Sequence, residues 1–284
     1  LVADGASIYR GGVVTGMRIA LVQMLVVAGD VAGNLARAAE RTVQAAARGA
    51  DLVVLPECLD VGWTDSRARE LAEPIPGPSS DVLCAVAREN RIWLAAGLTE
   101  RDGDKVRNAA ILIDRTGAIR VRHHKINELA FARALYAPGE ELRVVDTEFG
   151  RIGLNICADN YIDSLHLAAA QIAMGARMIV SPSSWAVPPG HDDAVTPYVE
   201  WEEPYRTLGQ RHGVPVVGVS NVGPVATGEW AGWSCIGRSL ATDARGEILA
   251  KGSYGVDADE LLVVDLELPD RAAAPGSRAA GFTS

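Results

Sequence analysis

The chain is poor in the features that would settle its class at a glance. It has 284 residues and only four cysteines, Cys58, Cys84, Cys157 and Cys235. None of them sits in the close spacing of a zinc or redox motif. Five histidines fall in no metal-ligand pattern, so no metal is expected. No glycine-rich phosphate loop or dinucleotide fingerprint precedes a helix, so no cofactor is expected. No apolar run approaches the roughly 20 residues that span a membrane. Basic charge is scarce: 27 Lys and Arg stand against 36 Asp and Glu, a net charge of -9. An acidic chain without a basic run is a poor partner for nucleic acid or anionic lipid, and neither is expected.

What is present is ordinary for a soluble globular protein: 48% hydrophobic and 22% charged residues, ample for one large core. Residues 1–16 lack the basic and apolar regions of a signal peptide and read as an extension. Residues 17–268 read as one domain. Residues 269–284, small and Pro/Gly-containing, read as a flexible tail. Without a secretory signal the cytoplasm is the expected compartment, with the cysteines reduced.

Met17–Gln23 reads as a first strand. Asn34–Arg48 has helical apolar spacing, with Asn34 as N-cap and Gly49 as stop. Asp51–Leu55 is a short continuous apolar run, as in a strand buried on both faces. Helices are predicted at Ser79–Asn90, Ser164–Met174 and Tyr205–His212. Strands are predicted at Arg91–Gly97, Val106–Asp114, Ala118–Val121, Leu142–Thr147, Arg151–Cys157, Ala176–Val180, Val214–Ser220, Ser234–Ala241 and Leu261–Leu266. Strand–helix alternation with interspersed hairpins implies an α/β domain with mixed sheets.

Three apolar strands run straight into a polar residue. DLVVLPE ends on Glu57, AIRVRHHK on Lys125 and RIGLNIC on Cys157. Strand ends are where side chains converge into a crevice. A thiol can attack a carbonyl, a carboxylate can take its proton, and an ammonium can hold the resulting oxyanion. Taken singly, each has an ordinary structural use: a solvated loop glutamate, a surface lysine beside Arg122, His123 and His124, a core cysteine. The combination and its order carry the argument.

That order, in these settings, resembles the nitrilase superfamily of carbon–nitrogen hydrolases, on its amidase and carbamoylase side. The matching pieces are MRIALVQM, Asn34 in the first helix, GADLVVLPE, HHKIN, YAPGEE, TEFGRIGLNICAD, GVPVVGVSNVG and GWSCIGRSLATDARGEILA, spread from Met17 to Leu266. The resemblance implies a four-layer α-β-β-α sandwich that pairs into homodimers or larger homo-oligomers. It implies hydrolysis of a carboxamide or N-carbamoyl C–N bond in a small molecule, with Cys157 as nucleophile, Glu57 as base and Lys125 plus the Ala158 N–H as oxyanion donors. Simple amides, N-carbamoyl compounds and ω-amides of dicarboxylic acids are all open. Asp159, Asn160 and Trp185 are candidate substrate-binding residues; core or interface packing is the alternative for Trp185. The family's second glutamate aligns with Ala132, and Glu128 either takes its place or lies on the surface. A residue other than tryptophan after Cys157 favours amides over nitriles. The rivals are a true nitrilase, an acyl or amide transferase, and a non-catalytic ligand-binding member.

Overall fold

A computed structural model of the chain describes residues 15–195, 197 and 200–269. The extension and the tail expected from the sequence lie outside the described residues, apart from residues 15, 16 and 269. Two six-stranded mixed sheets form the centre. The first runs, edge to edge, Glu260–Leu268, Thr15–Gln23, Leu52–Val54, Trp93–Asp102, Lys105–Ile113 and Ile119–His124. The second runs Ile248–Lys251, Leu240–Thr242, Val216–Ser220, Met178–Ser183, Gly150–Leu154 and Val144–Thr147. A small third sheet joins Val222–Pro224, Ser234–Ile236 and Ala186–Val187. Among the described residues no helix is long and apolar enough to cross a membrane.

Side-chain alternation explains the layering. In the first sheet Ile19, Leu21, Leu52 and Val54 join a core shared with Leu154, Val180 and Val217 of the second sheet. Their neighbours Ala20, Val22 and Val53 point the other way, into a core completed by Leu35 and Ala38 of helix Val31–Ala47 and by Leu83 and Val86 of helix Pro78–Asn90. On the far side Leu165 and Leu208, from helices Leu165–Ala173 and Glu202–His212, pack into the same core as the second sheet. The result is the α-β-β-α sandwich.

Several boundaries shift for physical reasons. The first helix starts at Val31, because Asp30 is the cap and accepts from the Gly33 N–H at 3.1 Å. Asn34 is instead buried inside the first turns. The expected strand Ser234–Ala241 is two strands, Ser234–Ile236 and Leu240–Thr242. Gly237 and Arg238, at φ 70° and 62°, turn the chain out of the third sheet and into the second. The expected strand Arg151–Cys157 closes at Leu154, and Cys157 opens a short 3₁₀ turn, Cys157–Asn160.

Buried polar contacts lock the segment that carries Glu57. Leu55 and Pro56 continue the ladder with Ala95 and Gly97 at 2.8 and 2.9 Å. A Cβ on Gly97 would stand 2.5 Å from the Glu57 Cα, so only glycine lets the two strands approach this closely. Beyond Glu57, the Asn34 side chain accepts from the Val27 N–H at 2.9 Å and donates to the carbonyls of Val27 and Asp60 at 2.8 Å each. Removing it takes the side-chain partner from the Val27 N–H and from the Asp60 carbonyl, while the Val27 carbonyl keeps the Asp30 N–H at 3.1 Å; an unpaired buried group costs about 1–3 kcal/mol. Asn34→Ala is therefore expected to lower unfolding free energy by at least about 2 kcal/mol in urea titration; a change below about 0.5 kcal/mol would show that the bridge does not hold the loop.

Candidate active site

Glu57, Lys125 and Cys157 meet at the seam between the sheets. Glu57 lies just past strand Leu52–Val54, and its N–H is donated to the Ser183 carbonyl of the second sheet at 3.1 Å. Lys125 directly follows strand Ile119–His124. Its N–H is donated to the Asn108 carbonyl at 2.9 Å, and its own carbonyl accepts from Gly139 at 2.7 Å. Cys157 donates its N–H to Ser181 Oγ at 3.0 Å and sits at φ 43°, a left-handed conformation that L residues rarely adopt. The Ala158 carbonyl is fixed by Asn127 Nδ2 at 2.8 Å and Ser164 Oγ at 2.6 Å.

Lys125 Nζ lies 2.8 Å from Glu57 Oε1, and each side chain is at most 1% exposed. Asn108 Nδ2 donates to the same oxygen at 2.6 Å, while the Asn108 Oδ1 accepts from the Cys58 thiol at 3.5 Å. Oε2 of Glu57 has no hydrogen-bond partner among the described residues. The ammonium also stands 5.7 Å from the centre of the Trp63 ring, a cation–π distance. Glu128 is buried, not on the surface, and its Oε2 is 4.0 Å from Lys125 Nζ. Ala132, the position aligned with a second glutamate, is buried in the adjoining 3₁₀ turn. A carboxylate thus enters the site from four residues earlier.

Burial sets the proton affinities. It pushes the Cys157 thiol up to about 12, with the Glu57 charge adding to the rise and Lys125 opposing it. Burial also pushes Glu128 up to about 8, against the pull of Lys125. Burial disfavours the charge on Lys125, but Glu57, Glu128 and Cys157 outweigh it and hold the ammonium well above the ordinary lysine range. Near neutral pH the cluster thus holds a Lys125 ammonium, a protonated Glu128 and a protonated Cys157 thiol around the Glu57 side chain.

A narrow cleft of about 10 Å³ opens onto Cys157 and Lys125. Its walls are Trp63, Tyr161, Trp201 and Trp230 with Leu129 and Ala186, and Ser184 completes it. Trp185 is not a wall residue: it is 1% exposed and stacks flat beneath Trp201 at 4.9 Å, so the core alternative describes it. Asp159 and Asn160 do not line the cleft either. The Asp159 carboxylate accepts from the N–H groups of Ile126, Asn127 and Ile156 at 2.8–3.0 Å and meets His123 Nε2 at 2.8 Å. Burial would raise its pKa, but those hydrogen bonds bring it below the ordinary value. Asn160 accepts from Asn155 Nδ2 at 2.9 Å. Asp159 ties the loop after Lys125 to the loop after Cys157, and Asn160 braces the Cys157 loop on itself; both are positioning tasks. A larger groove of about 870 Å³ between Met17–Arg18, Asp243–Arg245 and Leu266–Leu268 contains none of the three central residues.

Sequence reading missed Asn108 and Trp201. Asn108 had a signal: it is the one amide at the start of an apolar run, NAAILI, and the alternating pattern sends it towards the second sheet. Trp201 had none, because it caps helix Glu202–His212 and meets the cleft only through contacts distant in the chain.

Comparison with known proteins agrees with this geometry. The family model for carbon–nitrogen hydrolases matches residues 18–275. A nitrilase of Pyrococcus abyssi is 30% identical, over 89% of this chain and 91% of that protein. An omega-amidase of Mus musculus is 29% identical over 88% of each. Among solved structures, Nit3 of Saccharomyces cerevisiae, a member of the nitrilase superfamily, superposes with a TM-score of 0.76 at 26% identity, covering 89% of this chain and 90% of that one. A double mutant of the amidase from Nesterenkonia sp., in complex with acrylamide, gives 0.73 at 25% identity, covering 93% and 94%. With a family match over most of its length and a buried carboxylate, ammonium and thiol gathered at one seam, the chain belongs to the carbon–nitrogen hydrolase family, within the nitrilase superfamily.

Proposed function

We propose that residues 17–268 act as one amidase-type domain that hydrolyses a carboxamide or N-carbamoyl C–N bond through a thioester on Cys157. The observation that carries this is the division of labour on Glu57. Oε1 is held by Lys125 and Asn108, while Oε2 has no hydrogen-bond partner among the described residues and the carboxylate lies close enough to raise the thiol. A thiol held up to about 12 needs a base in contact with it at the moment of attack.

Glu57 takes the Cys157 proton as the sulfur bonds to the carbonyl carbon. Lys125 and the Ala158 N–H stabilise the oxyanion. Protonated Glu57 then gives its proton to the leaving nitrogen, the C–N bond breaks, and ammonia or an amine departs. Glu57 next takes a proton from water, whose oxygen attacks the thioester. Collapse expels the Cys157 sulfur, which recovers its proton from Glu57, and the acid is released. Glu128 serves as the supporting carboxylate. As a neutral acid below about pH 8 it sits beside Lys125 without cancelling the charge that the oxyanion needs.

The omega-amidase and amidase relatives favour an amide substrate; the Pyrococcus relative is named a nitrilase, so nitriles belong in any substrate panel. The reading includes cytoplasmic residence, supported by four free cysteines, and homo-oligomers, supported by the exposed apolar Ile162 and Met174 flanking helix Leu165–Ala173.

Acid quench during turnover of a competent amide is expected to leave an acyl adduct on Cys157, seen by peptide mass. Cys157→Ala should form none and release no ammonia while remaining folded. Turnover by a well-folded Cys157→Ala protein would refute the nucleophile.

Glu57→Gln should slow the chemical step by about 10² to 10⁴, and Lys125→Met should cost about 2.7–4 kcal/mol in activation free energy, mainly in kcat. A rise in KM alone for Lys125→Met would mean ground-state binding instead.

Glu128 gives a pH test. Its pKa rises from 4.5 to about 8 on folding, so the folded form holds the extra proton between those values. Stability linked to this group is therefore greatest below pH 4.5 and falls as pH rises towards 8. Glu128→Gln cannot ionise, so its Tm should gain on wild type as pH is raised across that window. Parallel Tm curves would remove Glu128 from this account.

A further inference from the structure

The substrates left open by the reaction differ in charge close to the scissile bond. An ω-amide of a dicarboxylic acid and an N-carbamoyl amino acid both carry a carboxylate a few bonds from the carbonyl that is attacked. A simple amide does not. The cleft contains evidence on this point, independent of the attacking groups.

Among the described residues that line it, Lys125 is the only cation. Its Nζ is already 2.8 Å from Glu57 and 4.0 Å from Glu128. The remaining walls are four aromatic and two aliphatic side chains, with the hydroxyl of Ser184 donated to Asn221 Oδ1 at 2.8 Å. Of the arginines outside the cleft, Arg133 donates its Nε to the Glu128 carbonyl at 3.1 Å, and Arg238 pairs with Asp193. The aromatic wall is itself braced. Trp63 and Phe131 both pack on Trp230, at 5.1 and 4.9 Å, and Trp230 stacks on Trp233 at 4.1 Å.

We propose that this cleft selects small uncharged carboxamides and turns away amides and ureido compounds that bear a carboxylate near the scissile carbonyl. The physical cause is desolvation. A carboxylate brought against indole faces loses its water and gains no cation, since Lys125 is committed to Glu57 and to the oxyanion. A short neutral acyl group loses little and gains contact with the aromatic walls. The inference rests on the amidase reading above and narrows it.

The test compares substrates of matched length on the wild-type enzyme, reading ammonia release: succinamate, its methyl ester, N-carbamoylglycine and propionamide. The ester has the shape of succinamate without the charge, so the pair separates charge from size. The expected result is turnover of propionamide and of the ester, with kcat/KM for succinamate and N-carbamoylglycine lower by about 100-fold or more. Leu129→Arg places a guanidinium in the wall. It should raise the ratio of succinamate to ester turnover by at least about tenfold, a ratio that is unaffected by the fraction of folded protein. Succinamate cleaved as well as its ester by the wild type, or an unchanged ratio in Leu129→Arg, would overturn this inference and leave the amidase reading intact. Ammonia from none of the four would bring down the amidase reading, and this inference with it.

Discussion

The ion pair between Lys125 and Glu57 is the contact on which the rest of the site depends. Both side chains are out of water, and two such charges repay their desolvation only when the geometry is good and the remaining lone pairs and protons are engaged. Here Asn108 shares the Glu57 oxygen and the Trp63 ring lies near the ammonium. Removing either partner would leave the other buried and uncompensated, at a cost of about 3–5 kcal/mol. Both charges reach the seam from the ends of first-sheet strands. The Glu57 N–H then bonds across to Ser183, and Cys157 arrives from the second sheet. The sandwich is therefore tied together at the place where its chemistry is assembled.

The environment of the pair also sets the proton affinities of three ionisable groups, Lys125, Glu128 and Cys157. Uniform burial would neutralise all of them. Instead Lys125 keeps its proton because three acidic groups surround it, Cys157 keeps its proton because burial and Glu57 act together, and Glu128 is raised to about 8. The arrangement leaves a protonated thiol at Cys157 and, on Glu57, one carboxylate oxygen without a hydrogen-bond partner among the described residues.

Much of this was legible in the sequence because it depended on local patterns. Apolar runs ending on Glu57, Lys125 and Cys157 announce strand ends, and strand ends converge. The mixed α/β class followed from alternation, while the sandwich itself followed from the family resemblance. What was not legible depended on contacts distant in the chain. Asp159 and Trp185 look like site residues by proximity to Cys157 and to a strand end, yet one holds loops together and the other supports Trp201 from beneath. Glu128 could be placed only once the turn 128–136 had folded over Lys125. The helix cap moved from Asn34 to Asp30 because the backbone carbonyls of Val27 and Asp60 claim the amide.

The left-handed backbone at Cys157 has a further consequence. For an L residue that conformation costs on the order of 1 kcal/mol or more, and glycine would adopt it freely. The position proposed for the nucleophile is thus one where the backbone by itself favours glycine. A lineage released from selection for turnover would regain that backbone cost on replacing the cysteine with glycine, set against the buried contacts the sulfur makes in the core between the sheets. Its descendants would keep the sandwich, the ion pair and the aromatic cleft with a silent residue at the centre. In chains of this architecture, overall likeness is therefore a weaker guide to activity than the single side chain at this turn.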